Sequence, residues 1–225
     1  MNTIKIFIIF LSIALAGSVK AQPKIDRFES QIINFEKEDE ANGYKPEAVL
    51  FTGSSSIRRW TTLAEDMVPI PVINRGFGGS TIPEVLYYAD RIILPHQPKI
   101  IVFYCGENDL ANEESKAKLA RQSFKKFHKY ITDKLPNTKV YFIAIKPSIK
   151  REKYWAKMQS ANKKISRFIN RKTNFYFIDT SSKMLDKNGV VLQDIFVDDD
   201  LHMNEKGYQI WTDTVKPILE KTYAF

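Results

Sequence analysis

The sequence predicts an α/β fold, a mostly parallel five-stranded sheet covered by helices. Short apolar runs alternate with longer amphipathic segments along the chain, the pattern of strands joined by helical crossovers. Three of those runs also end in polar or glycine-rich turns, as strands do at the carboxyl edge of an open sheet. In order, residues 24–40 form an amphipathic helix laid on before the first strand, 48–51. A helix over 57–66 leads to a strand at 72–74, and a helix over 82–94 to a strand at 100–104. A helix over 113–135 precedes the strand at 140–145. In the next helix, 152–171, Tyr154, Trp155, Met158, Ala161, Ile165, Phe168 and Ile169 recur at helical spacing. The fifth strand is 175–178, the turn Asp186-Lys187-Asn188-Gly189 implies a small hairpin, and a helix over 205–221 follows. Crossovers of this length are right-handed.

The 225 residues are 44% hydrophobic with only 9 Gly and 10 Pro, which excludes disorder and fibrous repeats and fits one domain with its own core. Residues 1–21 read as a signal peptide: Lys5 supplies the positive start, residues 6–16 are apolar, and Val19-Lys20-Ala21 offers a cleavage site. The apolar run is too short to span a bilayer, so no stable membrane anchor is expected. The exported chain, a single domain, would then be residues 22–225, released to the periplasm or outside the cell. An uncleaved anchor is the other reading, for which Lys20 beside the scissile bond speaks. The net charge is +8, and much of it falls between residues 146 and 172. There Lys150, Arg151, Lys153, Lys157, Lys163, Lys164, Arg167, Arg171 and Lys172 read as a solvated basic face. No nucleic-acid recognition motif accompanies them, so no nucleic-acid partner is expected. Cys105 is the only cysteine; it can form no intrachain disulfide and reads as a buried thiol.

Chemistry is sought at the strand ends. The first strand runs into Thr52-Gly53-Ser54-Ser55-Ser56, the second into Asn74-Arg75-Gly76-Phe77-Gly78-Gly79-Ser80, and the third into Cys105-Gly106-Glu107-Asn108-Asp109. Asp198-Asp199-Asp200-Leu201-His202 precedes the final helix. Together they hold what acyl transfer needs: a hydroxyl nucleophile, an imidazole base, a carboxylate to orient it, and donors for an oxyanion. Asp199 and His202 are three apart, close enough to share one side of a turn. Each piece also has a plainer reading. The serines can cap a helix beginning near Ile57, the glycines can form a turn without chemistry, and Asn108 can satisfy loop backbone. The glycine run has neither dinucleotide nor P-loop spacing, and Ile57 replaces the second glycine of a Gly-x-Ser-x-Gly elbow. Asp198 to Asp200 with His202 have metal-ligand chemistry, but His96 and His128 lie in other segments, with structural roles expected. No cofactor is expected.

In these residues the sequence resembles the SGNH (GDSL-type) hydrolases: Gly53-Ser54-Ser55, Gly79, Gly106-Glu107-Asn108-Asp109 and Asp199-Asp200-Leu201-His202 match the family's four blocks in order. The resemblance implies a flavodoxin-like three-layer fold and an ester-hydrolysing serine enzyme. By position in the blocks, Ser55 is the nucleophile and His202 the base, with Asp199 as its partner. The oxyanion hole is implied to comprise the Ser55 and Gly79 N–H groups and the Asn108 amide. Ser54 stands where the family has an acidic residue, which leaves three adjacent hydroxyls.

An exported enzyme meets acylated saccharides and lipid esters, and a short acyl group, acetyl above all, on a carbohydrate is the favoured substrate. A long chain would need an apolar groove, walled by residues 60–67 and 184–196, and these mix apolar with charged side chains. The alternatives are a lipid-directed acylhydrolase of the lysophospholipase or platelet-activating-factor acetylhydrolase type, and a glycan-binding module without catalysis. The sequence gives no oligomeric state.

Overall fold

The computed structural model describes residues 25–223; the signal-peptide reading of residues 1–21 lies outside them. The five strands are β1 (Val49–Gly53), β2 (Val72–Gly76), β3 (Ile100–Tyr104), β4 (Lys139–Ile143) and β5 (Phe175–Ile178). They form one sheet in the order β2-β1-β3-β4-β5, and every neighbouring pair is parallel. The order reverses direction between β1 and β3, which makes the crevice at their carboxyl ends the favoured ligand position. Gly53 is in register with Gly76 on one side and Tyr104 on the other, so three strands end level there.

The helices are α1 (Glu29–Asn42), α2 (Ser55–Arg58), α3 (Leu63–Asp66), α4 (Ile82–Ile92), α5 (Glu107–Leu110), α6 (Ala117–Lys134), α7 (Trp155–Ile169) and α8 (Glu205–Tyr223). Strand side chains alternate between two cores. Leu50, Ile101, Phe103 and Phe142 face α4, α6 and α7 through Val85, Phe124 and Ile165. Phe51, Val102, Tyr104 and Ile143 face α2, α3 and α8 through Ile57, Leu63, Trp211 and Val215. Trp60 packs against both Tyr208 and Trp211, with centroids 5.4 and 5.8 Å apart. Burial of such aromatics supplies much of the hydrophobic stabilisation. The result is the expected three-layer α/β sandwich, with a fully parallel ladder.

Where the elements differ from expectation, side chains explain it. The helix expected over 57–66 splits into α2 and α3 because the Asp66 carboxylate draws in Trp60 Nε1 (2.5 Å) and Thr62 Oγ1 (2.8 Å), and Thr61 and Thr62 are weak helix formers. β4 stops at Ile143 because the Asn162 side chain takes both the N–H and the carbonyl of Ile145, at 2.9 and 2.8 Å. The helix expected from 113 begins at Ala117, since Ser115 bonds back to Leu110 and Asn112. A 3-10 turn at Ile149–Tyr154 precedes α7. The small hairpin shrinks to one antiparallel bridge, Leu185 with Val191. Cys105 is buried and free. His96 is buried against Asp39, which also pairs with Arg75, and His128 packs on Phe175 at 4.5 Å. No helix among the described residues is long and apolar enough to cross a membrane.

Candidate active site

The candidate nucleophile sits where β1 turns into α2. Gly53 has φ +135°, and a Cβ there would lie 1.8 Å from the Tyr104 carbonyl oxygen. Only glycine lets the chain pass so close to β3 and still turn. The Ser54 N–H then donates to that same carbonyl at 3.0 Å, and Ser55 enters the first turn of α2, where backbone N–H groups have no intrahelical acceptor. Ser54 and Ser56 are each only 2% exposed. Of the three adjacent serines, Ser55 is the one bonded to His202, from its Oγ to Nε2 at 2.9 Å.

His202 and Asp199 are set by a compact turn before α8. Asp199 Oδ2 lies 2.5 Å from His202 Nδ1, and its Oδ1 accepts the N–H groups of Leu201 (3.0 Å) and His202 (2.8 Å). Burial acts to raise the Asp199 pKa, but the imidazole and the two backbone donors outweigh it and hold the carboxyl well below its usual range. Asp200 turns the chain at φ +57°, a conformation aspartate tolerates better than most residues. The Val197 N–H closes the turn on the His202 carbonyl at 2.9 Å.

At the end of β1, the loops after β2 and β3 come together. The Phe77 N–H and the Ser80 hydroxyl both donate to the Gly53 carbonyl. The Ser80 carbonyl accepts from Asn108 Nδ2 at 3.1 Å, and a Cβ at Gly79 would lie 3.7 Å from the same Nδ2. Thus the structure brings Gly79 and Asn108 side by side, and Ser55, His202 and Asp199 into one hydrogen-bonded chain. Asp109 lies just behind, its carboxylate accepting the Ile82 N–H at the start of α4 (3.1 and 3.2 Å). Burial pushes its pKa up to about 7 despite that bond.

The sequence reading missed a buried charge cluster under this site. Glu107 Oε2 accepts from the Tyr104 hydroxyl (2.8 Å) and pairs with Lys146 Nζ (3.2 Å), while Oε1 accepts from the Ser148 hydroxyl (3.3 Å) and pairs with Arg151 Nη1 (3.4 Å). The Lys146 side chain is fully buried; burial draws its pKa below the ordinary value, opposed by Glu107. Its ammonium also donates to the Leu201 carbonyl at 2.6 Å, inside the Asp199 turn. Arg151 Nη2 donates to Asn108 Oδ1 at 2.9 Å. Arg151 therefore departs from the solvated basic face expected of it: its side chain is 19% exposed and is spent on the site. Glu107 next to Asn108 was the available signal, because a carboxylate at a buried strand end needs cations. Among the described residues, no group of three or more His, Cys, Asp or Glu side chains is placed to hold a metal.

The model of the GDSL-like lipase/acylhydrolase family matches residues 41–210. Solved structures agree on the fold. A GDSL-like lipase from Bacteroides thetaiotaomicron superposes with a TM-score of 0.73 at 19% identity, over 86% of this chain and 98% of that one. A carbohydrate esterase family 3 protein from Talaromyces cellulolyticus gives 0.60 at 18%, over 79% and 98%. A Geobacillus acetyl-xylooligosaccharide esterase, as a Trp-to-Ile variant, gives 0.60 at 13%, over 76% and 93%. No curated protein matches the sequence significantly. Family membership defines the chain as a hydrolase acting on ester bonds, built on a three-layer α/β fold. The chain belongs to the GDSL-like lipase/acylhydrolase family.

Proposed function

We propose that this protein is an exported serine esterase that removes a short acyl group, acetyl in the first instance, from a carbohydrate ester. The observation that carries the catalytic part is the chain Ser55 Oγ to His202 Nε2 to Asp199 Oδ2, at 2.9 and 2.5 Å. In this reading His202 Nε2 takes the Ser55 proton as Oγ attacks the ester carbonyl, and Asp199 stabilises the imidazolium that forms. The Ser55 and Gly79 N–H groups and Asn108 Nδ2 receive the oxyanion. Collapse expels the sugar alcohol, which takes the proton from His202, and leaves an acyl-serine. Water, deprotonated by His202, attacks that ester; collapse breaks the bond to Ser55 Oγ, releases the carboxylic acid, and His202 returns the proton to the serine.

The short-acyl part rests on where the apolar side chains have gone. Trp60, Leu63 and Met67, and Met184, Val191, Ile195 and Phe196, belong to the segments that would have walled an acyl-chain groove, and all are buried in the core beside α8. Polar groups gather at the end of β1 instead: Arg151 bonds to Asn108, Asn108 to the Ser80 carbonyl, and the Ser80 hydroxyl to the Gly53 carbonyl. The likeness to proteins named as carbohydrate and acetyl-xylooligosaccharide esterases supports the same reading.

The test is hydrolysis of p-nitrophenyl acetate, butyrate and octanoate by wild type and Ser55→Ala. Serine-dependent turnover that falls steeply with chain length supports the proposal. Preference for octanoate replaces it with a lipid-directed acylhydrolase. A folded protein inert on these esters and on acetylated glycans is a binding module instead.

A further inference from the structure

The chain's positive charge is concentrated on one face. Ala117–Lys134 and residues 155–172 contain twelve Lys and Arg and a single carboxylate, Asp133, so they carry +11 while the whole chain carries +8. The rest of the protein is therefore acidic on balance, by three charges. Asp133 is itself neutralised, by Lys129 at 2.7 Å.

These helices enclose a groove of about 650 Å³ with a lining free of Asp and Glu. α6 contributes Lys118, Arg121 and Lys125, and the chain from residue 164 to 172 contributes four more cations around Phe168. Among the described residues none of the seven forms an ion pair, whereas Arg27, Arg75 and Arg91 around α1 are all paired with carboxylates. Unpaired like charges at this density repel one another and cost stability. Two of them are nonetheless held in place: Lys125 and Lys172 sit over the Phe168 ring, 5.6 and 5.1 Å from its centroid, a contact that orients an ammonium while leaving its donors open.

We infer that the α6–α7 groove binds an acidic polysaccharide, a glycan bearing carboxylates or sulfates along its length. A linear polyanion satisfies several fixed cations in a concave groove at once. A flat bilayer would meet mainly the rims, and Leu119 is the single exposed large hydrophobic residue on α6 and α7 available to enter it. The choice of a glycan over other polyanions rests on the carbohydrate-ester reading of the site. Because α6 and α7 both begin at the carboxyl edge of the sheet, which carries Ser55 and Asn108, a chain held in the groove is anchored on the same body as the ester chemistry. The substrate class then narrows to acylated acidic polysaccharides.

The experiment compares the full chain with the triple variant Lys125→Gln, Arg167→Gln, Lys172→Gln in titration calorimetry at low ionic strength. The probes are polygalacturonate, neutral dextran, phosphatidylglycerol vesicles and duplex DNA. Expected are binding of polygalacturonate but not dextran, loss of that binding with added salt, and at least a ~10-fold weakening in the triple variant. The variant's turnover of p-nitrophenyl acetate should be unchanged. Absence of polygalacturonate binding overturns the inference, as does equal binding by the variant or tighter binding to vesicles or DNA. A protein that hydrolyses p-nitrophenyl acetate but ignores polygalacturonate refutes the groove alone; one that binds but never hydrolyses esters refutes the esterase reading alone.

Discussion

The Arg151 guanidinium donates to the side-chain oxygen of Asn108 at 2.9 Å, and this bond fixes which end of the amide is oxygen and which is nitrogen. With its oxygen occupied by a cation and one N–H committed to the Ser80 carbonyl, the amide has a second N–H left for an incoming oxyanion. Arg151 is in turn paired with Glu107, which Lys146 ties to the turn that carries Asp199. Asn108 and the turn that carries Asp199 and His202 are thus positioned from one buried cluster.

Arg151 should therefore behave as a positioning residue. Asn108→Ala should lower kcat on p-nitrophenyl acetate by about 10²–10³, the usual effect of losing one oxyanion donor. Arg151→Ala should lower kcat by roughly tenfold with KM little changed, a smaller share of the same donor's contribution. The double variant should be no slower than Asn108→Ala. Full additivity of the two effects in steady-state kinetics would show that Arg151 acts by some other route.

The three residues of the hydrogen-bonded chain should fail as a unit. Ser55→Ala and His202→Ala should each cost at least ~10³ in kcat, and combining them should cost little more. Asp199→Asn should cost somewhat less. Ser55 lies at the surface of a turn, so its removal should leave the melting temperature nearly unchanged, and calorimetry beside the kinetics would expose an indirect loss through unfolding.

Lys146 is a matter of stability. Lys146→Met strands Glu107 with fewer cations in a dry site and should cost about 3–5 kcal/mol in chemical denaturation, as breaking buried ion pairs does. Adding Glu107→Gln removes the stranded charge and should recover part of the loss. A double variant less stable than Lys146→Met would contradict the ion-pair account.

Asp109 should make folding stability fall with rising pH. Its pKa is raised from an ordinary 3.8 to about 7, so between those values the folded chain holds a proton that the unfolded chain has released. Stability is then greatest near the acid end of that window and declines toward neutrality, by at most about 4 kcal/mol for a shift of this size. Asp199, shifted the other way, lowers stability only as the pH falls below 3.8. Asp109→Asn, which keeps an acceptor for the Ile82 N–H, should flatten the decline between about pH 4 and pH 8 in thermal melts. An unaltered slope would mean that another group sets it.

Much of this was legible in the sequence because strand-end chemistry is local. Ser55, Gly79, Asn108, Asp199 and His202 each follow a recognisable apolar run or precede a helix, and the parallel order of the sheet makes those ends converge. Element boundaries were less legible where side chains intervene in the backbone: Asp66 breaks a helix, and Asn162 ends β4 two residues early. The charge cluster was hidden for another reason. Lys146 and Arg151 look like their exposed neighbours in a basic stretch, and only the fold shows that Glu107, some forty residues earlier, lies beneath them.

The topology also ties maturity of the fold to competence. All five strands and Ser55 precede Asp199, yet the hydroxyl has no proton acceptor until the segment leading into α8 has docked. α8 also covers part of one face of the sheet, beside α2 and α3, through Trp211, Val215 and Leu219. A premature stop before Asp199 would strip Trp60 of its Tyr208 and Trp211 partners and Ser55 of its His202 partner together, so the packing of that face and the proposed catalytic chain are completed by one and the same segment.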